Sequence, residues 1–177
     1  MDAIRKYPWY EIVEGDDLAQ GDILLDCYAV RVAPDTLPSG FSTTLRAEIE
    51  QVDAIVISQS CDLVNDKIND VLLCAHFDLS KVMEVDPSLK SKLKQILNGQ
   101  VYRHTLLPRS DFSECPMGIR IVDFNYVFML PKQVVRRFAA AQGKRLRLCP
   151  PYREHLSQAF ARFFMRVGLP QQIELPE

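Results

Sequence analysis

Two uninterrupted apolar runs stand out from the mixed pattern of this chain, Ala54 to Ser58 (AIVIS) and Val71 to Phe77 (VLLCAHF). A polar connection, Cys61 to Asp70, joins them. Each run is short, β-branched or aliphatic, and bounded by turn-formers, which is the pattern of a strand buried on both faces. Upstream, Gly21-Asp22 predicts a turn and Ile23 to Val32 a strand, while Pro34 to Thr43 (PDTLPSGFST) has loop composition. Leu45 to Gln51 alternates apolar and polar residues, predicting a half-exposed strand that turns at Gln51-Val52-Asp53 into the first central run.

From Asp78 the period changes. DLSKVM predicts one helical turn, and DPSLKSKLKQILNG a helix with Asp86 as N-cap, Pro87 as first residue and Gly99 as stop. Val101 to Pro108 predicts a short strand, 109–118 a loop, and 119–130 (IRIVDFNYVFML) a long strand ended by Pro131. A helix stopped at Gly143, the strand RLRLC and an amphipathic C-terminal helix follow. That last helix carries the stripe Leu156, Ala159, Phe160, Phe163, Phe164 and Val167, and Gly168 with Pro170 ends it. Residues 1–19 read as an arm whose Tyr7-Pro8-Trp9-Tyr10 anchor packs on the domain.

These elements predict a mainly β protein with added helices (α+β): six or seven mostly antiparallel strands in a small sheet or barrel, with three peripheral helices. Strands and helices do not alternate regularly, which argues against a doubly wound fold. No composition break marks a second domain. The expected organisation is one domain of arm (1–19), barrel core (20–78), helical insertion (79–100), remaining strands and short helix (101–149) and C-terminal helix (150–168).

Composition refines this picture little. With 47% hydrophobic and 25% charged residues, the 177-residue chain has the make-up of an ordinary globular protein. No apolar run approaches the ~20 residues of a membrane span. The charged N-terminus has no signal-peptide core and the five cysteines form no close pairs, so a reducing, cytoplasmic setting is expected. Charge changes the picture more. The net charge of −2 conceals 12 Lys/Arg against 20 Asp/Glu in residues 1–131, and 9 against one, Glu154, in residues 132–166. Such a basic block meets either an anionic partner or the acidic half of its own chain.

The start GDIL on a first strand, the run AIVIS closing a later one, and the polar loop and apolar strand after it resemble the MazF/PemK-like toxins. That resemblance, over roughly Gln20 to Phe77, implies an SH3-like barrel. The toxins are ribonucleases that use an arginine near the start of the serine-ending strand and a Thr-Ser pair after the next strand. Here Val52-Asp53 and LLCAHFD stand at those places, so no catalytic residue carries over. The pairing of QGDI with SQSCDL also resembles small bacterial proteins of no established activity.

Candidate chemistry lies in two places. Ser58, Cys61 and Asp62 follow a buried strand, where a side chain is held rigidly yet exposed, as a nucleophile requires. A thiol nucleophile needs a base, and His76, His104 and His155 are the three available; otherwise Cys61 packs as a small apolar residue and Asp62 makes a local turn. Cys74 and His76 share a strand face, but no Cys-x₂₋₄-Cys pair supports a metal site, and no Gly-rich cradle supports a nucleotide cofactor. The second place is the basic block: Arg136, Arg137, Arg145 and Arg147, then Arg153, Arg162 and Arg166 on the final helix. Positions 162 and 166 are one turn apart and suit phosphate, with Tyr152 available for stacking on a single strand. The sequence therefore predicts a binding module that contacts nucleic acid or a partner protein through this basic face. The alternative is a toxin-like hydrolase at SQSCDL.

Overall fold

The computed structural model describes residues 7–32 and 47–165. The expected loop from Pro34 to Thr43, the beginning of the strand expected at Leu45, Arg166, and the helix stop at Gly168 and Pro170 lie outside the described residues. In chain order the elements are β1 (Tyr10–Val13), β2 (Ile23–Val32), β3 (Ala47–Val56), α1 (Ser60–Val64), β4 (Asp70–Asp78), α2 (Leu79–Val85) and α3 (Leu89–Leu97). They continue with β5 (His104–Leu107), β6 (Arg120–Pro131), α4 (Lys132–Gln142), β7 (Arg145–Leu148) and α5 (Tyr152–Phe164).

The architecture is α+β. Five strands form an antiparallel sheet in the order β2-β3-β4-β6-β5, and β1 pairs antiparallel with β7 in a second, two-stranded sheet. An isolated bridge, Asp22 to Arg147, ties β7 to the start of β2. No closed barrel forms among the described residues: β5 remains an edge, linked towards β1 by the Tyr10 hydroxyl donating to the Pro108 carbonyl at 2.9 Å. At the opposite edge, β2 meets no further strand beyond that bridge among the described residues. There the Gln142 side-chain amide accepts from Leu25 N at 3.0 Å and donates to the Ile23 carbonyl at 3.4 Å.

The two apolar runs are the middle strands of the larger sheet, and both faces are covered. Ile55 and Cys74 point into one core with Phe124, Leu148, Leu156 and Phe163, between the sheet, the small β1-β7 sheet and α5. Their neighbours Ala54, Val56 and Leu73 point into a second core, under Leu63 of α1 and Val135 and Ala139 of α4. Alternation between two apolar environments is why these strands carry no polar alternation of their own. A third cluster seats α2 and α3 on Ile121.

Several expectations change. Ala47 to Val56 is one ten-residue strand, not two joined by a turn at Gln51–Asp53; pairing with β2 along its length keeps it extended. The polar connection begins with a five-residue helix, α1, too short for an apolar period to announce it. Together with α2 this raises the helices from three to five. The arm contributes a true strand, β1. Asp86 caps a turn by accepting from Ser88 N at 3.1 Å, and α3 itself starts one residue after Ser88. Pro131, Gly143 (φ +72°) and Gly99 (φ +66°) end their elements as the sequence predicts. Among the described residues no helix is long and apolar enough to cross a membrane.

Gln20-Gly21-Asp22 locks the sheets together. Gly21 has φ +85°, and a Cβ there would lie 2.8 Å from Leu148 Cβ, so only glycine lets β7 approach. Gly21 N donates to the Val56 carbonyl and Leu148 N to the Gly21 carbonyl, at 2.9 and 3.0 Å. The Asp22 carboxylate is fully buried. It accepts from Arg145 Nε and Nη2, both at 3.2 Å, from Arg147 Nη2 at 3.0 Å and Nε, and from Ala19 N at 3.1 Å. Asp22→Ala would strand the buried Arg145 guanidinium and is expected to cost about 3–5 kcal/mol, read as a lowered urea midpoint with an unchanged m-value.

Candidate functional site

The serines of SQSCDL serve as scaffold, while Cys61 and Asp62 stand together on the surface. Ser58 Oγ accepts from Leu72 N at 2.8 Å, which pins the end of β3's path to β4. Ser60 Oγ accepts from Gln20 N at 3.0 Å, while Gln20 Nε2 donates to the Ile57 carbonyl at 2.7 Å. Cys61 is exposed on α1, its Sγ 3.6 Å from Asp62 Oδ1, and Asp62 pairs with Lys67 at 3.9 Å. Two shallow hollows adjoin this segment, and no histidine lines either. His76 and His104 line a different hollow, and His155 lines a cleft on the other side of α5's start. No imidazole is placed to serve Cys61 as base.

The basic block is divided. Arg145 is enclosed, with Nη1 donating to the Gly15 carbonyl at 2.7 Å, and Arg147 is largely enclosed and donates to the Asp17 carbonyl at 2.8 Å. Arg136 pairs with Asp16 at 3.2 Å and Asp17 at 3.7 Å. The acidic N-terminal part therefore takes up these three arginines internally. Arg137 is exposed, Arg153 lies against its neighbour Glu154 at 2.9 Å, and Arg162 donates from Nε to the Gln158 carbonyl at 3.3 Å, with its Nη1 beside Gly99.

Arg162 overhangs a cleft of about 360 Å³ formed by the end of α3, β5 and α5. Leu107, Leu148 and Leu156, all core residues, form its floor. Trp9 and Tyr152 stack with 11° between their planes, and His155 meets Tyr152 edge-on. Tyr102 is half exposed at the rim, with the amides of Asn98 and Gln158 beside it. Among the described residues no carboxylate lines the cleft. Of these residues the sequence reading singled out Tyr152 and Arg162 for binding, His155 as a candidate base, Leu156 for the apolar stripe, and the Trp9 cluster as an anchor packed on the domain. Tyr102, Asn98 and Gln158 carry no spacing signal, because they reach the cleft from three different segments.

A larger hollow, about 660 Å³, opens between α2 and the ends of β3, β4 and β6. Two strand irregularities adjoin it. Leu25 and Asp26 of β2 stand opposite Asp53 alone, with Asp26 at φ +53°, and β6 residues 123–126 stand opposite Ala75 alone. Asp53 accepts from Asp26 N at 3.1 Å and pairs with Arg120 at 3.2 Å, and Arg103 grips Asp123 through two hydrogen bonds of 2.9 and 2.6 Å. His76, only 1% exposed, finds no hydrogen-bond partner of good geometry for either ring nitrogen, although the Ala54 backbone lies close enough to favour the charged ring slightly. Burial first, then the Arg120 charge, pull its pKa down to about 3, so the ring is neutral. His104 lines both the hollow and the cleft. Burial lowers its pKa, against the opposing pull of Asp123. Among the described residues no group of three or more His, Cys, Asp or Glu is placed to hold a metal ion.

A scan against protein-family models and a search of curated proteins find no match for this chain.

Two measurements follow from these placements. Cys61→Ala should change stability by no more than about 0.5 kcal/mol, whereas Ser58→Ala, which leaves Leu72 N without an acceptor, should cost about 1–3 kcal/mol; urea unfolding compares them. The second concerns acid. The folded His76 stays neutral down to about 3 while the unfolded ring takes up a proton below its ordinary 6.5, so the unfolded state binds more protons and stability rises with pH. The contribution is complete above pH 6.5 and is lost towards pH 3. From pH 7 to 5, above the carboxylate range, the wild type should lose about 2 kcal/mol more than His76→Gln, seen in urea midpoints at each pH.

Proposed function

We propose that this protein is a binding module for single-stranded nucleic acid, with the cleft between α3, β5 and α5 as its base-binding surface. The observation that carries this reading is the cleft's composition. Among the described residues, aromatic faces, two amides, two histidines and one arginine line it and no carboxylate does, on a chain whose overall charge is −2. Aromatic stacking binds any base, at about 1–3 kcal/mol each, and Arg162 at the mouth suits a phosphate. Lys90, Lys92 and Lys94 add positive charge to α3, a helix with no acidic residue. Arg145 and Arg147 serve this reading as scaffold and Arg162 as contact, with Arg137 and Arg153 on the exposed surface.

An SH3-like barrel, which the QGDI start implies, fits as an opened form. The Asp22–Arg147 bridge would join the two sheets into one order, β1-β7-β2-β3-β4-β6-β5. A cytoplasmic setting accords with five unpaired cysteines. The toxin-like hydrolase is the weaker reading, since Ser58 accepts from the Leu72 amide and Cys61 has only the Asp62 carboxylate at 3.6 Å, with no histidine among the described residues lining the hollows beside it.

Trp9 is the only tryptophan, so its fluorescence reports on the cleft directly. Titration with a short oligouridylate should quench it, with affinity falling as salt rises. Tyr102→Ala should weaken binding by about 1–3 kcal/mol, and Arg162→Ala should weaken it and flatten the salt dependence, while Cys61→Ala should do neither. Absence of quenching at low salt, or equal binding of a duplex, would overturn the proposal.

A further inference from the structure

The larger hollow is opposite in character to the cleft. Six carboxylates and three cationic side chains line it. Two of the cations, Arg103 and Arg120, are already engaged by Asp123 and Asp53. The Asp26 carboxylate makes no hydrogen bond or ion pair among the described residues, and its backbone is held in the left-handed region where the bulge of β2 crosses Asp53. The cluster of acids does not stand alone. His76 is buried and lines the same hollow, and among the described residues neither ring nitrogen has a hydrogen-bond partner of good geometry, although the Ala54 backbone lies close enough to act on the ring. A buried polar group without a partner costs free energy, and a ligand that supplies the partner recovers it.

The geometry points to a binding site for a small organic cation, an alkylamine or alkylguanidinium, whose head donates to His76 and to the carboxylates around Asp26 and Asp53. The surplus of negative charge favours a cation over an anion. The apolar walls, Phe77, Val82 and Ile121, suit methylenes, and a volume of about 660 Å³ far exceeds that of a bare ion. The neutral ring of His76 offers a lone pair to an N–H donor, which an imidazolium would not. Arg120 would oppose a cation, but Asp53 at 3.2 Å offsets it.

Agmatine is the probe, titrated into the full chain at low ionic strength and followed by calorimetry and by the ¹⁵N resonances of the histidine rings. The expected result is saturable binding that shifts the His76 nitrogens and leaves Trp9 fluorescence unchanged. Asp26→Asn, which keeps a side chain suited to the left-handed backbone, should weaken it several-fold, and His76→Phe at least tenfold. If the His76 variant does not fold, the His76 resonances of the wild type with agmatine and the Asp26→Asn affinity decide the matter. The proposal is overturned by no saturable binding, by an unchanged affinity in Asp26→Asn, by quenching of Trp9, which would place agmatine in the cleft, or by equal binding of acetate, which would mark Arg120 as an anion site.

Discussion

One buried carboxylate sets the architecture. Asp22 stands where β2 leaves its turn, and it neutralises Arg145 and Arg147 of β7 while its own backbone bridges to the same strand. Two guanidinium groups against one carboxylate leave a surplus positive charge inside the protein. The carbonyls of Gly15 and Asp17 are turned towards it. The segment before β2 is therefore held by the arginines as much as by packing. Replacing such a group with apolar residues can be neutral or even stabilising, whereas removing one member leaves a buried charge unpaired. The arrangement is thus better understood as fixing how the two sheets meet than as a reservoir of stability.

The cleft and the hollow owe their contrast to this internal use of charge. Asp16 and Asp17 of the acidic N-terminal segment are drawn against Arg136 of α4 and, through the Asp17 carbonyl, against Arg147 of β7, and among the described residues no carboxylate lines the cleft. On the other side of His104, carboxylates contributed by β2, β3, β4 and β6 accumulate where both bulges interrupt the ladders. His104 lines both spaces, whose charged side chains among the described residues are opposite in balance. The bulges matter because they turn side chains out of strict alternation, which is how Asp53, His76 and Asp123 come to border one space.

The parts legible in the sequence were those set by local chemistry. AIVIS and VLLCAHF are read correctly as holding doubly covered strands because nearly every position but Ser58, which lies past the end of β3, and His76 is apolar, and Pro131, Gly99 and Gly143 mark real ends because their backbone limits are intrinsic. Strand β1 and helix α1 were not legible, since four or five residues hold too little periodicity. The arginines show a deeper limit. RLRL has an apolar face and a charged face, and the charged face is ordinarily the wet one; here the 15–17 segment covers it, so Arg145 is as buried as Leu148. The cleft escaped for a related reason, because Trp9, Tyr102 and Tyr152 are brought together only by the pairing of β1 with β7 and the path into α5.

The Gln142 amide beside β2 has a consequence for life at high concentration. A sheet edge offers alternating donors and acceptors to any extended chain that passes, including another copy of itself. By satisfying Leu25 N and the Ile23 carbonyl from the end of α4, one side chain imitates the next strand and closes that stretch to templated addition. A glutamine at the last position of an ordinary surface helix thereby acts as a guard against fibrous association.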